Sequence, residues 1–324
     1  MDKKNNLVQV LNTEPYLYSK EAVVIWEENG YSYSESTWNS IDAEESYENI
    51  DILIVRLNKK IDLKVINKFP KLKFIISATT GLDHLDLQAL QLANIEVFSL
   101  RGHVDFLNSI PSTAEHTWAL ISSLVRNIPA ANESVKLKEW DRDKFRGYQL
   151  KNKSIGIIGL GRVGGKVAKY ASAFDMSVGY FDPYVDNNFY QRFTSIEELL
   201  KTSDIISIHV HLNNETFHLL NSRNIDYIKD GSFIINTSRG KVWDENALVE
   251  VFKAGKIKGI AADVLADELE DFKESALLNV HKKSQNIIIT PHIGGATFDA
   301  MWSCEKYLAS FVIKSLSKLT SNKQ

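Results

Sequence analysis

The chain has 324 residues, 44% of them hydrophobic and 24% charged, the balance of a folded globular protein long enough for two domains. Its 38 Lys and Arg against 41 Asp and Glu leave a net charge of −3, without the basic excess of a nucleic-acid binder. The lone Cys304 fits a reducing compartment, no stretch approaches the ~18 apolar residues of a membrane span, and residues 1–6 precede no apolar run of signal-peptide length, so a cytoplasmic location is expected.

In the first third, apolar runs at 7–11, 22–26, 51–55, 73–78 and 95–100 predict the strands of one small open α/β sheet. Ser112 followed by Glu115 has the spacing of a capping box, which predicts a long helix from Ser112 to Arg126. Runs at 154–159, 176–181, 205–210, 232–236, 259–264 and 286–290 predict a second, larger doubly wound sheet. After Ala296 there is room for one terminal helix carrying Trp302, Leu308, Phe311 and Leu316, expected to return and cover the first sheet. The expected domains are therefore 1–107 with 297–324, and 108–296.

The second series opens with Gly159-Leu160-Gly161-Arg162-Val163-Gly164, the pattern G-x-G-x-x-G between a predicted strand and a helix over 165–173. Gly159 suits the tight turn, Gly161 lets backbone approach a pyrophosphate, and Gly164 lets the helix pack on the strand. The helix N-terminus adds N–H groups and a positive dipole end for the same anion. Asp182 lies 18 residues beyond Gly164, at the end of the next strand. A carboxylate there can bind both hydroxyls of an adenosine ribose and repels a 2′-phosphate, which points to NAD rather than NADP. Asp182-Pro183 also reads as a plain turn. With strand, turn, helix and acid in register, the dinucleotide reading is preferred.

Three further polar residues follow strand ends: Arg239 after 232–236, Glu268 after 259–264, and His292 after 286–290. Open parallel sheets bind ligands at that edge, where the glycine turn also opens. Reduction of a 2-oxo acid needs a hydride, a proton for the developing alkoxide and a cation for the carboxylate. His292 as imidazolium can give the proton, with Glu268 orienting the ring and favouring its charged form. Arg239 offers a fork for a carboxylate.

With these residues in place, the chain resembles the D-isomer-specific 2-hydroxyacid dehydrogenases, the family that includes D-3-phosphoglycerate dehydrogenase. The matching stretches are 113–117, 155–164, 233–240, 262–264 with Glu268, and 290–297, in order along nearly the whole chain. The resemblance implies a Rossmann NAD-binding domain and a smaller flavodoxin-like substrate domain that close over a small 2-hydroxy or 2-oxo acid. It implies Arg239, Glu268 and His292 as the catalytic set. Around NAD it implies Gly159, Gly161, Arg162, Val163, Gly164, Asp182, His209, Val210, Thr237, Asp263 and His292, with Asp263 meeting the nicotinamide carboxamide. Thr80 and Gly81 align with a glycine-rich turn whose amides hold the substrate carboxylate. A homodimer built around the helix from Ser112 is implied as well.

The chain also departs from the family pattern. Asp267-Glu268-Leu269 stands where the family has an acid followed by proline, so Asp267 rivals Glu268, which keeps the five-residue offset from Asp263. His209-Val210-His211 replaces His-Val-Pro; no third metal ligand is evident, and His211 is expected on the adenine side. The segment 99–111 is longer than usual, and Arg56-Leu57-Asn58 replaces a stretch that carries two arginines in phosphoglycerate enzymes. Arg56, Arg101 and His103 are the cationic candidates there for a polar or anionic substrate tail. His84, His116, His218 and His281 are read as structural or solvated, Cys304 as packing, and Lys59-Lys60 and Lys282-Lys283 as exposed charges. Two rivals stand beside the dehydrogenase: a formate dehydrogenase, which typically has an amide at the Glu268 position, and an NAD-sensing, corepressor-like binding protein.

Overall fold

The structure, a computed structural model, describes residues 7–44, 46–282 and 286–321. Residues 1–6, and Lys283 of the pair Lys282-Lys283, lie outside the described residues. The chain divides into two compact units, Met1–Ser109 with Thr297–Gln324 (unit 1) and Ile110–Ala296 (unit 2). No helix among the described residues is long and apolar enough to cross a membrane.

Unit 1 carries the strands β1 (Val8–Asn12), β2 (Tyr31–Glu35), β3 (Ile52–Val55), β4 (Phe74–Ser77) and β5 (Glu96–Ser99). They pair in parallel in the order β2-β1-β3-β4-β5, the flavodoxin-like arrangement. All four residues of the inner strand β3 are buried, as expected where a parallel sheet is covered on both faces. The apolar run 22–26 is not a strand but the heart of the helix Lys20–Glu28. Ser19 caps it, its hydroxyl accepting from Ala22 N at 3.2 Å, and the i, i+4 pair Ala22 and Trp26 is wholly buried. A short apolar run fits either period, and here the capping serine decides. The place beside β1 goes to β2, whose polar alternation Tyr-Ser-Tyr-Ser-Glu suits a half-solvated edge.

The terminal helix Phe298–Ser321 belongs to unit 1. Glu305 accepts from Ser19 N at 2.8 Å, Trp302 Nε1 donates to Leu17 O at 3.0 Å, and Lys306 pairs with Glu21. Cys304, Leu308 and Val312 are buried on its inner side.

Unit 2 carries β6 (Ser154–Ile158), β7 (Ser177–Phe181), β8 (Gln191–Arg192), β9 (Ile205–Ile208), β10 (Ser232–Asn236), β11 (Ile257–Ala262) and β12 (Ile287–Ile289). Their order is β12-β11-β10-β9-β6-β7-β8, all parallel, which is the doubly wound arrangement with one strand added beyond the sixth. Ile205, Ile235 and Ala261 pack with the helices Ser112–Val125 and Arg162–Ala173; Ile206, Ile234 and Ile260 pack with Ile196–Thr202 and Glu245–Lys253. Both faces are covered, so these strands read as unbroken apolar runs.

The helix Ser112–Val125 begins differently from the expected capping box. Pro111 holds the N-cap position with no side-chain cap bond, and its carbonyl accepts from the N–H groups of Ala114 and Glu115. The pyrrolidine ring keeps φ in the helical range, so the chain is already helical before Ser112 can act as a cap.

Candidate active site

The glycine turn has the form the sequence requires. Gly159 sits at φ +90°, where L side chains are strained, and a Cβ there would press on the His209 carbonyl. A Cβ on Gly164 would run into the carbonyl oxygen of Gly159, whereas one on Gly161 would meet nothing within 4 Å. The space open at Gly161, above the start of the helix Arg162–Ala173, suits a bound pyrophosphate. Asp182 fixes this turn: its Oδ2 accepts from Leu160 N at 2.9 Å and its Oδ1 from Tyr184 N at 2.8 Å and Val185 N at 3.1 Å. Oδ2, which takes one of these bonds, keeps acceptor capacity for a ribose hydroxyl. These residues fit a dinucleotide.

At the end of β9, His209 Nε2 lies 2.8 Å from Ser207 Oγ. Burial pushes its pKa down to about 3, so the ring is neutral. Val210 lies against Gly159, and Thr237 Oγ1 lies 2.8 Å from Thr117 Oγ1, tying the end of β10 to the helix Ser112–Val125. No group of three metal-ligating side chains occurs among the described residues.

Adjacent strand ends bring Arg239, Glu268 and His292 to one edge, because β10, β11 and β12 are neighbours. His292 has φ +55°, a left-handed conformation uncommon for such a residue. Its N–H donates to Asp263 O at 2.9 Å and to Thr290 O at 3.0 Å. Its Nδ1 lies 2.6 Å from Glu268 Oε1, while Glu268 Oε2 accepts from Leu265 N at 3.1 Å. The rival acid Asp267 is engaged elsewhere, 2.9 Å from Lys241 Nζ. Arg239 NH1 donates to Ser238 O at 2.7 Å, and the buried amide of Asn236 brackets this turn, donating to Arg239 O and accepting from Ser238 N.

Asp263 is 1% exposed, yet it is well satisfied. It accepts from Thr290 Oγ1 at 2.6 Å, Ile293 N at 2.8 Å and Gly294 N at 2.7 Å, with His116 Nε2 at 3.2 Å. Burial pushes its pKa up, but the bonds from His116, Thr290, Ile293 and Gly294 outweigh this and hold the carboxyl below its ordinary range. His116, which the sequence leaves as structural or solvated, is thus a partner of a candidate cofactor residue. Glu245 is also not apparent from spacing. It is buried, accepts from Ala266 N at 2.9 Å and Ser275 Oγ at 2.6 Å, and so ties the loop bearing Glu268 to the segment after Arg239.

In unit 1, Thr80 and Gly81 follow β4, in a turn where Thr79 Oγ1 donates to Gly81 O at 2.8 Å. Ser77 Oγ lies 2.9 Å from Thr79 Oγ1 and 3.1 Å from Nε2 of the buried His84. Arg101 is exposed. The long segment after β5 contains the helix Val104–Asn108, with Phe106 stacked on Tyr307 at 3.9 Å and His103 Nδ1 2.9 Å from Tyr307 Oη. His103 is therefore occupied by the terminal helix. Arg56 is not a free cation either: its guanidinium pairs with Glu305 and donates to Tyr16 O at 2.8 Å. Lys59 is half-buried rather than exposed, paired with Asp42.

Residues 118–294 match the family described as D-isomer specific 2-hydroxyacid dehydrogenase, NAD binding domain. The chain is 36% identical over 280 residues to a D-3-phosphoglycerate dehydrogenase of Bacillus subtilis, covering 85% of this chain and 51% of that protein. It thus spans about half the length of that relative. A glyoxylate reductase of Thermococcus litoralis is 33% identical over 283 residues, covering 84% of this chain and 81% of that protein. Among solved structures, the D-lactate dehydrogenase of Aquifex aeolicus, complexed with NAD and lactic acid, superposes with a TM-score of 0.75 at 29% identity, covering 96% of this chain and 95% of that one. The chain therefore belongs to the D-isomer specific 2-hydroxyacid dehydrogenase family and carries that family's NAD binding domain.

Proposed function

We propose that the chain is an NAD-dependent oxidoreductase interconverting a D-2-hydroxy acid and its 2-oxo acid. The observation that carries this reading is the 2.6 Å contact between His292 Nδ1 and Glu268 Oε1, on the strand-end edge that also bears the glycine turn and Arg239. NAD, when bound, supplies or accepts the hydride at C2 of the acid. His292 gives a proton to the carbonyl oxygen during reduction and takes it back during oxidation. Glu268 holds the ring through Nδ1 and stabilises the imidazolium, leaving Nε2 for the substrate. Arg239 grips the carboxylate and polarises the carbonyl. In unit 1, the amides of Thr80 and Gly81 are assigned to the substrate carboxylate.

Gly159, Gly161, Arg162, Val163 and Gly164 are assigned to the pyrophosphate, Asp182 to the adenosine ribose, and Asp263 to the nicotinamide carboxamide. A cytoplasmic homodimer completes the reading. Along the helix Ile128–Lys136 and the turn after it, Ile128, Val135, Leu137 and Trp140 are exposed, an apolar surface that a second copy would cover.

The test is NADH oxidation by the full chain over a panel of 2-oxo acids, phosphorylated and not, with formate and NAD as a further arm. Turnover of at least one oxo acid is expected. NADH binding without turnover of any acid would overturn the enzyme reading and leave an NAD-sensing binding protein; turnover of formate alone would leave a formate dehydrogenase.

A further inference from the structure

Unit 1 presents two strand ends side by side, those of β3 and β4, since these strands are neighbours in the sheet. The β4 end carries the Thr79–Gly81 turn assigned to the carboxylate. The β3 end carries Arg56, the cation nearest in sequence that could meet a charged tail.

Arg56 is enclosed by two carboxylates. Its backbone N–H donates to Glu14 Oε1 at 3.0 Å, and its guanidinium pairs with Glu305 of the terminal helix. The other Glu305 oxygen accepts from Ser19 N at 2.8 Å, and Glu14 also accepts from Trp38 Nε1 at 3.2 Å. Glu14 is 7% exposed and Glu305 is 3% exposed, so water does little to screen either. A second guanidinium donor is used by Tyr16 O at 2.8 Å, and the Tyr18 ring lies 5.7 Å from the guanidinium carbon. Further along the segment, Lys59 pairs with Asp42 and lies over the Trp38 ring. Glu14 takes the backbone N–H of Arg56 while Glu305 takes the guanidinium, so the guanidinium pair sums to zero whenever Glu305 is ionised, and an ionised Glu14 beside it makes the local sum negative. An anionic tail gains nothing from such a group and is repelled when both are ionised.

We propose that the tail side of this site is built for an uncharged substituent, and that Glu305 is the residue that excludes phosphorylated and dicarboxylic 2-oxo acids by neutralising Arg56. The substrate class is a 2-oxo acid whose substituent beyond the carbonyl carries no charge. This rests on the dehydrogenase reading above. Glu305 is a specificity-determining residue acting through Arg56, so removing its charge should release Arg56 to anionic tails.

The experiment compares the full chain with its Glu305→Gln variant, which keeps an acceptor for Ser19 N–H, on glyoxylate, hydroxypyruvate, oxaloacetate and 3-phosphohydroxypyruvate with NADH. The unaltered chain should favour the uncharged tails by tenfold or more in kcat/KM. Glu305→Gln should move the ratio at least tenfold towards the anionic tails, and adding Arg56→Gln should abolish that gain. Should Glu305→Gln fail to fold, Glu305→Asp, which keeps the charge but draws the carboxylate back by one methylene, is read in the same direction. A preference of the unaltered chain for the phosphorylated acid, or an unmoved ratio in the variant, overturns the proposal. Should no oxo acid turn over, the dehydrogenase reading fails and the tail assignment is decided by calorimetric titration of D-glycerate and 3-phospho-D-glycerate. It then stands only if the phosphorylated acid gains tenfold or more in affinity in the variant, and any other titration result overturns it.

Discussion

The strand ends of the two units handle polar side chains in opposite ways. In unit 2 Glu268 takes His292 by Nδ1 and leaves Nε2 outside that contact, and backbone N–H groups of Ile293 and Gly294 orient both oxygens of Asp263. In unit 1 the groups that look most reactive are absorbed by packing: Arg56 by Glu305, and His103 by Tyr307. A charged residue after a strand is thus oriented by a partner in one unit and taken up by a packing partner in the other. Substitution of His292 in unit 2 should therefore slow chemistry, and loss of the Arg56 cation in unit 1 should loosen the fold.

The largest expected effect is at His292. His292→Ala should lower single-turnover hydride transfer by about 10²–10⁴-fold, the usual worth of a positioned acid or base, with little change in melting temperature. Rapid-mixing measurement of NADH oxidation checks this, and an unchanged rate would remove His292 from the mechanism. Next comes Arg56→Ala, which leaves Glu305 buried without its partner and should cost about 3 kcal/mol of unfolding free energy. Denaturant melts read that loss; if Arg56→Ala melts like the unaltered chain, the contrast between the units collapses. Asp182→Ala follows. The unaltered chain should prefer NADH, and the variant should narrow the preference over NADPH by about tenfold, since one carboxylate no longer repels a 2′-phosphate. Equal use of both cofactors by the unaltered chain would break the assignment of Asp182.

Much of unit 2 is legible in the sequence because its signals are local. The glycine turn, the strand before it and the acid after it lie within one βαβ stretch, and strand ends alone put Arg239, Glu268 and His292 on one edge once the sheet order is doubly wound. Spacing leaves Asp267 as a rival to Glu268; in the structure Asp267 pairs with Lys241 and Glu268 lies 2.6 Å from His292 Nδ1. What stayed hidden depends on partners far apart in the chain. Arg56 and Glu305 are 249 residues apart, so nothing near Arg56 warns that its charge is taken. His116 reaches Thr290 across 174 residues in the same way. The misread run 22–26 has a different origin, since five apolar residues carry both periods and only Ser19 breaks the tie. The polar β2 gives no apolar signal at all.

The smallest effect at neutral pH is also the one that sets the two units against each other by sign. Burial lowers the His209 pKa from 6.5 to about 3, so between those values the unfolded chain holds a proton that the folded chain does not. The stability tied to His209 is present above pH 6.5 and is lost as pH falls towards 3. Glu14 and Glu305 behave inversely. Burial raises both above the ordinary 4.5, against the lowering by Arg56, so their contribution is present below 4.5 and lost as pH rises through the folded values. Asp263, held below 3.8, enters only in more acidic solution. Acidification from pH 6.5 to 4.5 should therefore weaken unit 2 around β9 while these two carboxyls favour unit 1. Hydrogen exchange, corrected for the intrinsic pH dependence of amide rates, can read both units in one sample. Protection in β9 should fall relative to β1 and β3, and His209→Gln, neutral throughout, should remove the fall. If protection in β9 drops equally in that variant, the loss belongs to other groups and the opposition between the units does not originate at His209.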